Sequence, residues 1–330
     1  MPEVKKETPP EKPKGAVQKV PSSTPDSFTL AHVSDLHLTS LNNTAIIPLL
    51  NKRMLGYLSW WRKRRFVHRS EIVEALLEDL KTTRPDHVAV TGDLTHLGLP
   101  DEFAEAAQWL SRLGPPDQVT VIPGNHEAYV GQDWADQLSV WAAYLKSDNE
   151  PENRHKTGFF PSLRIRGPIA LLGLCSARPS LPFLAVGSLD QKQLDRFAKL
   201  LQTTGDAGLL RVILVHHPPV PGSIKWRKRL DNSSALTELI GRYGAELVLH
   251  GHTHAPTYTE VRTPVRNVPV VGAPSASELN PHARRCASYN LYMLKQNGEN
   301  RQLTMRVRSY SEKSGRFEED QATNLVLPRT

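Results

Sequence analysis

The sequence predicts an α/β fold, a four-layer α/β/β/α sandwich in which two mixed β-sheets are flanked by helices. Two observations predict this class. Short apolar segments alternate with amphipathic helical segments as far as residue 250, and after residue 256 the pattern changes to short alternating strands. A chain of this kind buries its apolar surface when helices cover the outer faces of two packed sheets.

Composition limits the class of protein. The chain has 330 residues, of which 39% are hydrophobic and 23% are charged, as in soluble globular proteins. No apolar run approaches the roughly 20 residues that a membrane-spanning helix needs. Residues 1–26 lack the apolar segment of a secretory signal, and two cysteines are too few for a disulfide framework. We therefore expect a cytoplasmic protein.

The termini differ from the rest of the chain in composition. Residues 1–26 are rich in Pro, Lys and Glu and are predicted to be a disordered tail. Residues 27–309 are predicted to form one catalytic domain with an insertion at about 41–69, because no linker divides them. Residues 310–330 are polar and are predicted to be a loose C-terminal tail.

Apolar periodicity places the individual elements. Residues 148–168 are polar and rich in proline, so we expect an irregular connection there. Helices are predicted over residues 47–61, from Ser70 to before Pro85, over 102–113 and 134–146, from Ser188, and over 233–243. Strands are predicted at 28–34, 87–90, 118–122, 169–174, 211–215, 246–249, 257–262, 268–271, 288–294 and 303–307.

Five short polar clusters follow the ends of predicted strands. In α/β sheets the loops at the carboxyl ends of strands form the ligand sites. Asp and His are ligands of borderline metal ions, and Asn supplies a neutral oxygen. Residues i and i+2 of an extended chain point the same way, so each Asp-x-His or His-x-His pair can face one site. The clusters are Asp35 with His37, Asp93, Asn125 with His126, His216 with His217, and His252 with His254.

These clusters resemble, in the same order, the five motifs of the calcineurin-like metallophosphoesterase superfamily. The resemblance covers about residues 28–272 and implies a centre of two metal ions (Mn, Fe or Zn). It assigns Asp35, His37 and His254 to one ion, Asn125, His216 and His252 to the other, and Asp93 to both as a bridge. The motifs that carry it are Asp35-x-His37, Gly92-Asp93, Gly124-Asn125-His126-Glu127, His216 and Gly251-His252-x-His254.

The resemblance also implies the reaction. Two bridged metal ions make a shared hydroxide available near neutral pH, and this hydroxide attacks phosphorus in line with the leaving oxygen of a phosphodiester or a pyrophosphate. The metal ions stabilise the charge of the transition state. His126 corresponds to a histidine of the family that is not a ligand, and it is implied to bind the phosphoryl oxygen or to protonate the leaving group.

The remaining histidines of these segments have less specific interpretations. His32 and His250 lie within predicted strands, where packing is the simpler role. His217 is next to the predicted ligand His216, and we expect it to pack or to support a ligand. For His96, three residues after Asp93, a contact to substrate and a simple loop position both stay open.

The net charge of +7 is concentrated in two segments. Residues 51–66 carry +6 and residues 223–230 carry +4. Both contain Trp-Arg-Lys-Arg, and both follow predicted metal-ligand motifs, so we predict a basic, aromatic rim around the site. Its candidate partners are an anionic membrane surface, bound through Trp60–Arg65 and Trp226–Arg229, a nucleotide diphosphate, and, less favoured, nucleic acid. An ordinary amphipathic helix with a solvated basic end is the alternative for the first segment.

The substrate is therefore expected to be a nucleotide-linked or lipid-linked phosphoester. The superfamily includes UDP-2,3-diacylglucosamine pyrophosphatases, which act on a lipid-tailed diphosphate, so a peripheral location at the inner face of the membrane is one expectation. One branch of those enzymes has Arg at the position of His126. In having a histidine there, this chain resembles the cyclic-nucleotide and general phosphodiesterase branches instead. A non-catalytic scaffold with the same fold is an alternative of another class, but all seven predicted ligand positions hold competent residues.

Overall fold

Two six-stranded mixed sheets form the centre of the computed structural model. The structure describes residues 27–38, 52–62, 66–129, 134–148, 158–264, 267–280, 285–297 and 300–325. The strands are Ser27–Val33 (β1), His87–Val90 (β2), Val119–Val121 (β3), Ser162–Arg166 (β4), Ile169–Gly173 (β5), Leu210–Leu214 (β6), Leu247–His250 (β7), Thr257–Val261 (β8), Val268–Gly272 (β9), Ser288–Asn297 (β10), Asn300–Ser311 (β11) and Arg316–Leu325 (β12).

The strand order makes both sheets mixed. The first sheet has the order β12-β11-β10-β1-β2-β3, and the second has β4-β5-β6-β7-β9-β8. In the first sheet, β1, β2 and β3 run parallel, while β10, β11 and β12 are antiparallel neighbours. In the second, β5, β6, β7 and β9 run parallel between two antiparallel edge strands. This arrangement confirms the predicted fold class.

Helices cover the outer faces of both sheets. In β6, Val212 and Leu214 belong to the core shared with the first sheet, whereas Ile213 packs with Phe197 and Ile240 of two outer helices. This alternation follows from the two-residue period of a strand. The helices are Lys52–Arg62 (α1), Ser70–Thr83 (α2), Pro100–Leu113 (α3), Trp134–Gln137 (α4), Ala142–Leu145 (α5), Gln191–Asp206 (α6) and Ser233–Tyr243 (α7).

Two segments that we expected to be irregular form strands. Strand β4 lies within the predicted connection 148–168. The buried guanidinium of Arg164 stabilises this strand by donating hydrogen bonds to the carbonyl oxygens of Lys146 and Val119. Strand β12 corrects the predicted loose C-terminal tail. Its charged side chains are matched across the pair, as in the 3.1 Å contact between Arg306 and Glu319.

Two predicted helices begin or continue differently. Asp190, rather than Ser188, caps α6, since its side chain accepts a hydrogen bond from the amide of Gln193 at 2.8 Å. The helix expected over 134–146 is two short α-helical turns joined by a 3₁₀ turn. The three-residue period of that turn places Leu138 and Trp141 together in the core.

The parallel strands of both sheets point to one edge of the molecule. The loops after β1, β2 and β3 meet the loops after β6, β7 and β9 at this edge. The amide of Ala276 donates to the carbonyl of Ser34, and the amide of Gly251 donates to that of His216. The functional site is built from these loops. No helix among the described ranges is long and apolar enough to cross a membrane.

Candidate metal centre

The predicted ligands lie in loops with an unusual backbone conformation. Asp35, His37, Asp93, His252 and His254 all have positive φ angles, between 46° and 70°. This left-handed conformation is unfavourable for residues other than glycine and tends to be kept at functional sites. Our premise that these side chains lie on an extended chain is therefore wrong, although the structure does bring them together.

Hydrogen bonds between loops hold this conformation. The amides of Asp35 and His37 donate to the carbonyl oxygens of Gly92 and Asp93, each at 3.0 Å. The amide of His252 donates to Oδ2 of Asp35 at 2.9 Å, which joins the loops of the two sheets. The turns at Asp35, His37 and His252 are thus fixed by neighbouring loops, one of which belongs to the other sheet.

Three overlapping groups of side chains place their ligand atoms within 4.8 Å of one another, and two of these groups consist of predicted ligands. Asp93 belongs to both groups, as expected of a bridging carboxylate. The amide oxygen of Asn125 lies 3.2 Å from Nε2 of His216, beside the second group. These two groups are Asp35, His37, Asp93 and His254 in the first, and Asp93, His216 and His252 in the second.

The donor atoms fit a pair of metal ions. The Nε2 atoms of His37 and His254 face each other at 3.5 Å. Within the described chain, the buried Nε2 of His252 has no hydrogen-bond partner. Burying a polar atom without a partner destabilises the folded protein. A shared cation would bind both of the facing imidazole nitrogens. Nitrogen and carboxylate donors suit borderline ions such as Zn, Mn or Fe.

Backbone carbonyls set the tautomers of two predicted ligands. Nδ1 of His37 donates to the carbonyl oxygen of Thr95 at 2.8 Å, and Nδ1 of His216 donates to that of Thr91 at 2.6 Å. With Nδ1 bound to a carbonyl oxygen, the Nε2 atom of each ring faces the centre. Partners of this kind orient histidine ligands in metal sites.

Burial and charge set the protonation states. Burial opposes ionisation of Asp93, but His216 and His126 beside it hold the pKa of Asp93 well below its usual range. Burial and the neighbouring His68 keep the pKa of His37 well below its usual range. Burial lowers the pKa of His216, but Asp93 beside it raises this pKa to about 9. Metal binding requires ionised carboxylates and neutral imidazoles, so a bound ion would replace the second proton of His216.

Glu127 holds two loops of the centre together. Its carboxylate accepts hydrogen bonds from the amides of Asp93, Leu94 and Thr95 at 2.8 to 3.0 Å, and from Gly124 at 2.6 Å. Burial, with the nearby charge of Asp93, raises the pKa of Glu127 to about 7. Gly124 has no room for a side chain, since a Cβ there would collide with Asp93.

His126 is held beside the bridging carboxylate. Its amide donates to Oδ1 of Asp93 at 2.8 Å, and its Nδ1 donates to the carbonyl oxygen of His96 at 2.5 Å. Nε2 of His126 is therefore directed toward the centre, 4.0 Å from Oδ2 of Asp93. This placement suits a group that contacts the substrate.

Glu278 and His68 are two residues of the centre that we did not predict. The carboxylate of Glu278 accepts a hydrogen bond from Nδ1 of His254 at 2.8 Å and so orients this predicted ligand. His68 lies within ligand distance of His37 and His254, and its Nδ1 is 2.8 Å from the hydroxyl of Ser277. Neither follows a strand within a recognisable motif, so only tertiary structure brings them here.

Three of the other histidines lie where we expected them, and the fourth, His96, is a buried residue of the centre. His32 and His250 are buried within β1 and β7. His217 lies next to the ligand groups, with its Nδ1 2.7 Å from the hydroxyl of Ser176. His96 is buried and stacks on His37, with 5.0 Å between ring centroids, so it supports the site from behind.

Helix α1 borders one side of the centre. Trp60 is 2% exposed and packs against Leu97 and Leu99, with its ring 6.5 Å from that of His96. We predicted Trp60 as part of an exposed rim, and this placement is wrong. Trp61 is exposed, whereas residues 63–65 of the predicted basic rim lie outside the described residues.

The second basic segment borders the other side. Trp226 and Arg227 are exposed. The carbonyl oxygen of Arg227 accepts a hydrogen bond from the amide of Ala185, so residues 185–187 and 227–229 run side by side. Lys228 contributes to lowering the pKa of His252, after burial and two neighbouring histidines. This segment therefore lies close to the second ligand group.

Comparison with known proteins identifies the family. The model of the calcineurin-like phosphoesterase family matches residues 28–256. The chain is 28% identical to the glycerophosphodiester phosphodiesterase GpdQ of Enterobacter lignolyticus over 243 residues, 71% of this chain and 73% of that protein. It is 26% identical to a probable cyclic nucleotide phosphodiesterase of Rhodococcus erythropolis, over 53% of each chain.

A solved structure has the same fold. A dimetal phosphatase from Danio rerio superposes with a TM-score of 0.56, covering 93% of this chain and 99% of that one, at 13% identity. At this identity the likeness concerns the fold alone. The family match extends over more than half of the chain and includes every residue of the two ligand groups. The chain therefore belongs to the calcineurin-like phosphoesterase family and is a metal-dependent hydrolase of phosphoric esters.

Proposed function

We propose that this chain hydrolyses a phosphodiester or a pyrophosphate bond at two metal ions. Asp35, His37 and His254 would hold one ion, and Asn125, His216 and His252 the other, with Asp93 between them. The observation that carries the proposal is the convergence of two ligand groups that share Asp93. When bound, the two ions supply an activated nucleophile and neutralise charge on the phosphoryl group.

The residues of the chain prepare the site for this chemistry. Thr95 and Thr91 orient His37 and His216 through their carbonyl oxygens. Because these groups are fixed before substrate binds, little reorganisation is needed during the reaction. His126 would bind a phosphoryl oxygen or donate a proton to the leaving oxygen through Nε2, since its Nδ1 proton already binds His96.

The curated relatives support a diester substrate. Both curated relatives are named phosphodiesterases, one for glycerophosphodiesters and one, as a probable activity, for cyclic nucleotides. A substrate linked to a nucleotide or a lipid would extend from the centre toward the exposed Trp61 and Trp226.

A lipid-linked diphosphate is the second candidate, as in a UDP-2,3-diacylglucosamine pyrophosphatase. The observation in its favour is the presence of exposed apolar side chains on both sides of the centre, with exposed basic side chains beside Trp226. Nucleic acid is less favoured, because aliphatic side chains such as Met54 and Leu58 offer no stacking surface for bases. A cytoplasmic location at the inner face of a membrane accompanies this candidate.

A panel of substrates tests the proposal. Protein reconstituted with manganese would be offered bis(p-nitrophenyl) phosphate, p-nitrophenyl phosphate, cyclic AMP and a UDP-linked acylated sugar. We expect turnover of at least one diester or pyrophosphate, with less activity on the monoester. Protein that binds no transition metal and hydrolyses none of the four would instead support a non-catalytic scaffold.

A further inference from the structure

Helix α1 exposes an apolar face. Met54, Leu58 and Trp61 are exposed by 57%, 41% and 46%. Their spacing of four and three residues places them on one side of the helix. Phe66, shortly after the helix, is also exposed. We call these four residues the α1 patch, and the opposite side of the helix is anchored by Trp60 against the domain.

A second apolar patch lies in a different part of the chain. Leu181, Phe183 and Trp226 are exposed by 72%, 80% and 62%. Leu181 and Leu184 close a tight turn through a 3.0 Å hydrogen bond, and the following residue, Ala185, pairs with Arg227. The turn and Trp226 therefore belong to one pair of adjacent segments, and we call these three residues the loop patch.

The two patches lie on either side of the metal centre. The α1 patch is on the helix whose Trp60 contacts the ring of His96, beside His37. The loop patch belongs to the segments that contact His217, because Gly187 packs directly against its ring. The ring of His217 lies 4.5 Å from that of His252. The first patch thus borders one ligand group and the second borders the other.

Positive charge accompanies the loop patch. Lys225, Arg227 and Lys228 are exposed beside Trp226, while Arg229 pairs with Asp231 at 2.9 Å. Exposed aromatic and aliphatic side chains next to Lys and Arg are typical of surfaces that insert into the head-group region of an anionic bilayer. Without such a partner, large exposed apolar side chains favour aggregation.

We infer that the α1 patch and the loop patch dock the protein on an anionic phospholipid bilayer, with the metal centre facing the membrane. This inference rests on the proposed function, for which it names a phosphoester carried by a membrane lipid as the substrate class. Two separate points of attachment fix the orientation of the centre and strengthen binding beyond what either achieves alone. The substrate then reaches the ions without leaving the bilayer.

The chemistry of the patches favours a bilayer over a protein partner. A protein interface gains from shape complementarity around a continuous, well-packed core. Here the apolar side chains come from two separate segments with the metal centre between them. The neighbouring Lys225, Arg227 and Lys228 complement anionic lipid head groups. A fluid bilayer can accept both points at once without a complementary shape.

Flotation with lipid vesicles tests the inference. The full-length, manganese-loaded protein would be mixed with vesicles of phosphatidylcholine, alone or with phosphatidylglycerol. Two apolar variants replace three residues of each patch, Met54→Ser/Leu58→Ser/Trp61→Ser and Leu181→Ser/Phe183→Ser/Trp226→Ser. Val140→Ser/Tyr258→Ser is their control, since both residues are similarly exposed but belong to neither patch.

A matched pair of variants tests the charge. Lys225→Ser/Arg227→Ser/Lys228→Ser removes three positive charges beside the loop patch. Lys192→Ser/Lys199→Ser/Lys313→Ser removes three exposed lysines elsewhere. The first variant should weaken binding to the anionic vesicles more than the second. Salt screens charges that lie far from the membrane more strongly than charges that lie close to the lipid head groups.

We expect the protein to bind the anionic vesicles at least tenfold more strongly than the neutral ones. Each apolar triple variant should lose about tenfold or more of this binding, as expected when several apolar side chains no longer enter the bilayer. The inference is overturned if the wild type does not prefer anionic vesicles, or if both triple variants bind as the control does. Binding that depends on the patches but not on anionic lipid would also overturn it, because Lys225, Arg227 and Lys228 would then have no role in docking.

Turnover of soluble bis(p-nitrophenyl) phosphate, measured on the same preparations, separates the two proposals. Flotation does not depend on turnover. If the wild type hydrolyses the diester but does not float with anionic vesicles, the docking inference fails and the proposed function stands. If it floats but hydrolyses neither the diester nor any substrate of the panel, the proposed function fails and the docking surface stands.

Discussion

The metal centre and the rim around it differ in which side chains are exposed to solvent. In the centre, charged and polar groups are removed from water, with Asp35 and His216 fully buried and Asp93 1% exposed. At the rim, Phe183 and Trp226 are mostly exposed to solvent. Each arrangement departs from the usual distribution of polar and apolar residues, and each would be relieved by a ligand: cations in the centre and, as we infer, lipid at the rim.

The two regions also differ in how residues with positive φ angles are held. Seven non-glycine residues in the described ranges have positive φ angles, and five of them are predicted ligands. Of the other two, Arg84 ends helix α2 and Phe183 belongs to the loop patch. In the centre, many hydrogen bonds from neighbouring loops fix the strained turns. At the rim, the turn that contains Phe183 is closed by hydrogen bonds within the turn itself, from the amide of Leu184 to the carbonyl of Leu181 and from the hydroxyl of Ser180 to the carbonyl of Leu184.

Replacing the shared carboxylate should have the largest effect on the centre. The Asp93→Asn variant removes the charge that both ligand groups share, so we expect a loss of about 10³-fold or more in kcat/KM. The metal content measured by mass spectrometry should fall as well. Asp206→Asn, at an exposed position at the end of α6, is the control. Asp93→Asn protein with nearly full activity would contradict the assignment.

His126 should affect chemistry without affecting metal content. The His126→Asn variant should lose about 10²-fold in kcat and keep its metal ions. Diesters with p-nitrophenyl and phenyl leaving groups distinguish its two candidate roles. A larger loss with the poorer phenyl leaving group indicates proton donation, whereas equal losses indicate binding of a phosphoryl oxygen. A variant as active as the wild type on both diesters would remove His126 from the mechanism.

Replacing Glu278 tests whether this carboxylate orients the predicted ligand His254. Without its negative charge, His254 is a weaker and less well oriented ligand, so Glu278→Gln should weaken metal binding about 10- to 100-fold. Competition with a chelator measures this affinity directly. Glu238→Gln on the exposed face of α7 should leave it unchanged. Equal affinities for the two variants would mean that Glu278 has no role in the centre.

The smallest expected effect concerns the rim. Asn adopts positive φ more readily than Phe, so Phe183→Asn should stabilise the folded protein by about 0.5–1 kcal/mol. The melting temperature should then rise by about 1–3 °C. Leu181→Asn, at a neighbouring exposed position without positive φ, should not raise it. A lower melting temperature for Phe183→Asn would mean that its ring contributes packing that exposure does not reveal.

The two regions also differ in how far the sequence predicts them. The co-location of Asp35, Asp93 and His216 follows from strand ends, because parallel strands of packed sheets must end near one another. The left-handed backbone at Asp35 does not follow from local sequence, since it depends on a hydrogen bond to Gly92 in another loop. Glu278 is likewise recognisable only once β9 has carried the chain back to His254.

At the rim, composition predicted the kind of surface but not the residues that form it. Trp60 and Trp61 are equivalent in sequence, and the helical rotation between them buries one and exposes the other. Leu181 and Phe183 carry no periodic pattern and lie far in sequence from Trp226. The strand β12 was missed because its acidic residues resemble a solvated tail until they are paired with the arginines of β11.

The central claim is that one chain binds two metal ions at adjacent groups sharing Asp93. Counting metal ions by mass spectrometry, after reconstitution with manganese and removal of loosely bound ions, tests it most directly. We predict two ions per chain in the wild-type protein and fewer in Asp93→Asn. A wild-type protein with one ion or none, or an Asp93→Asn variant that still holds two, would contradict this account.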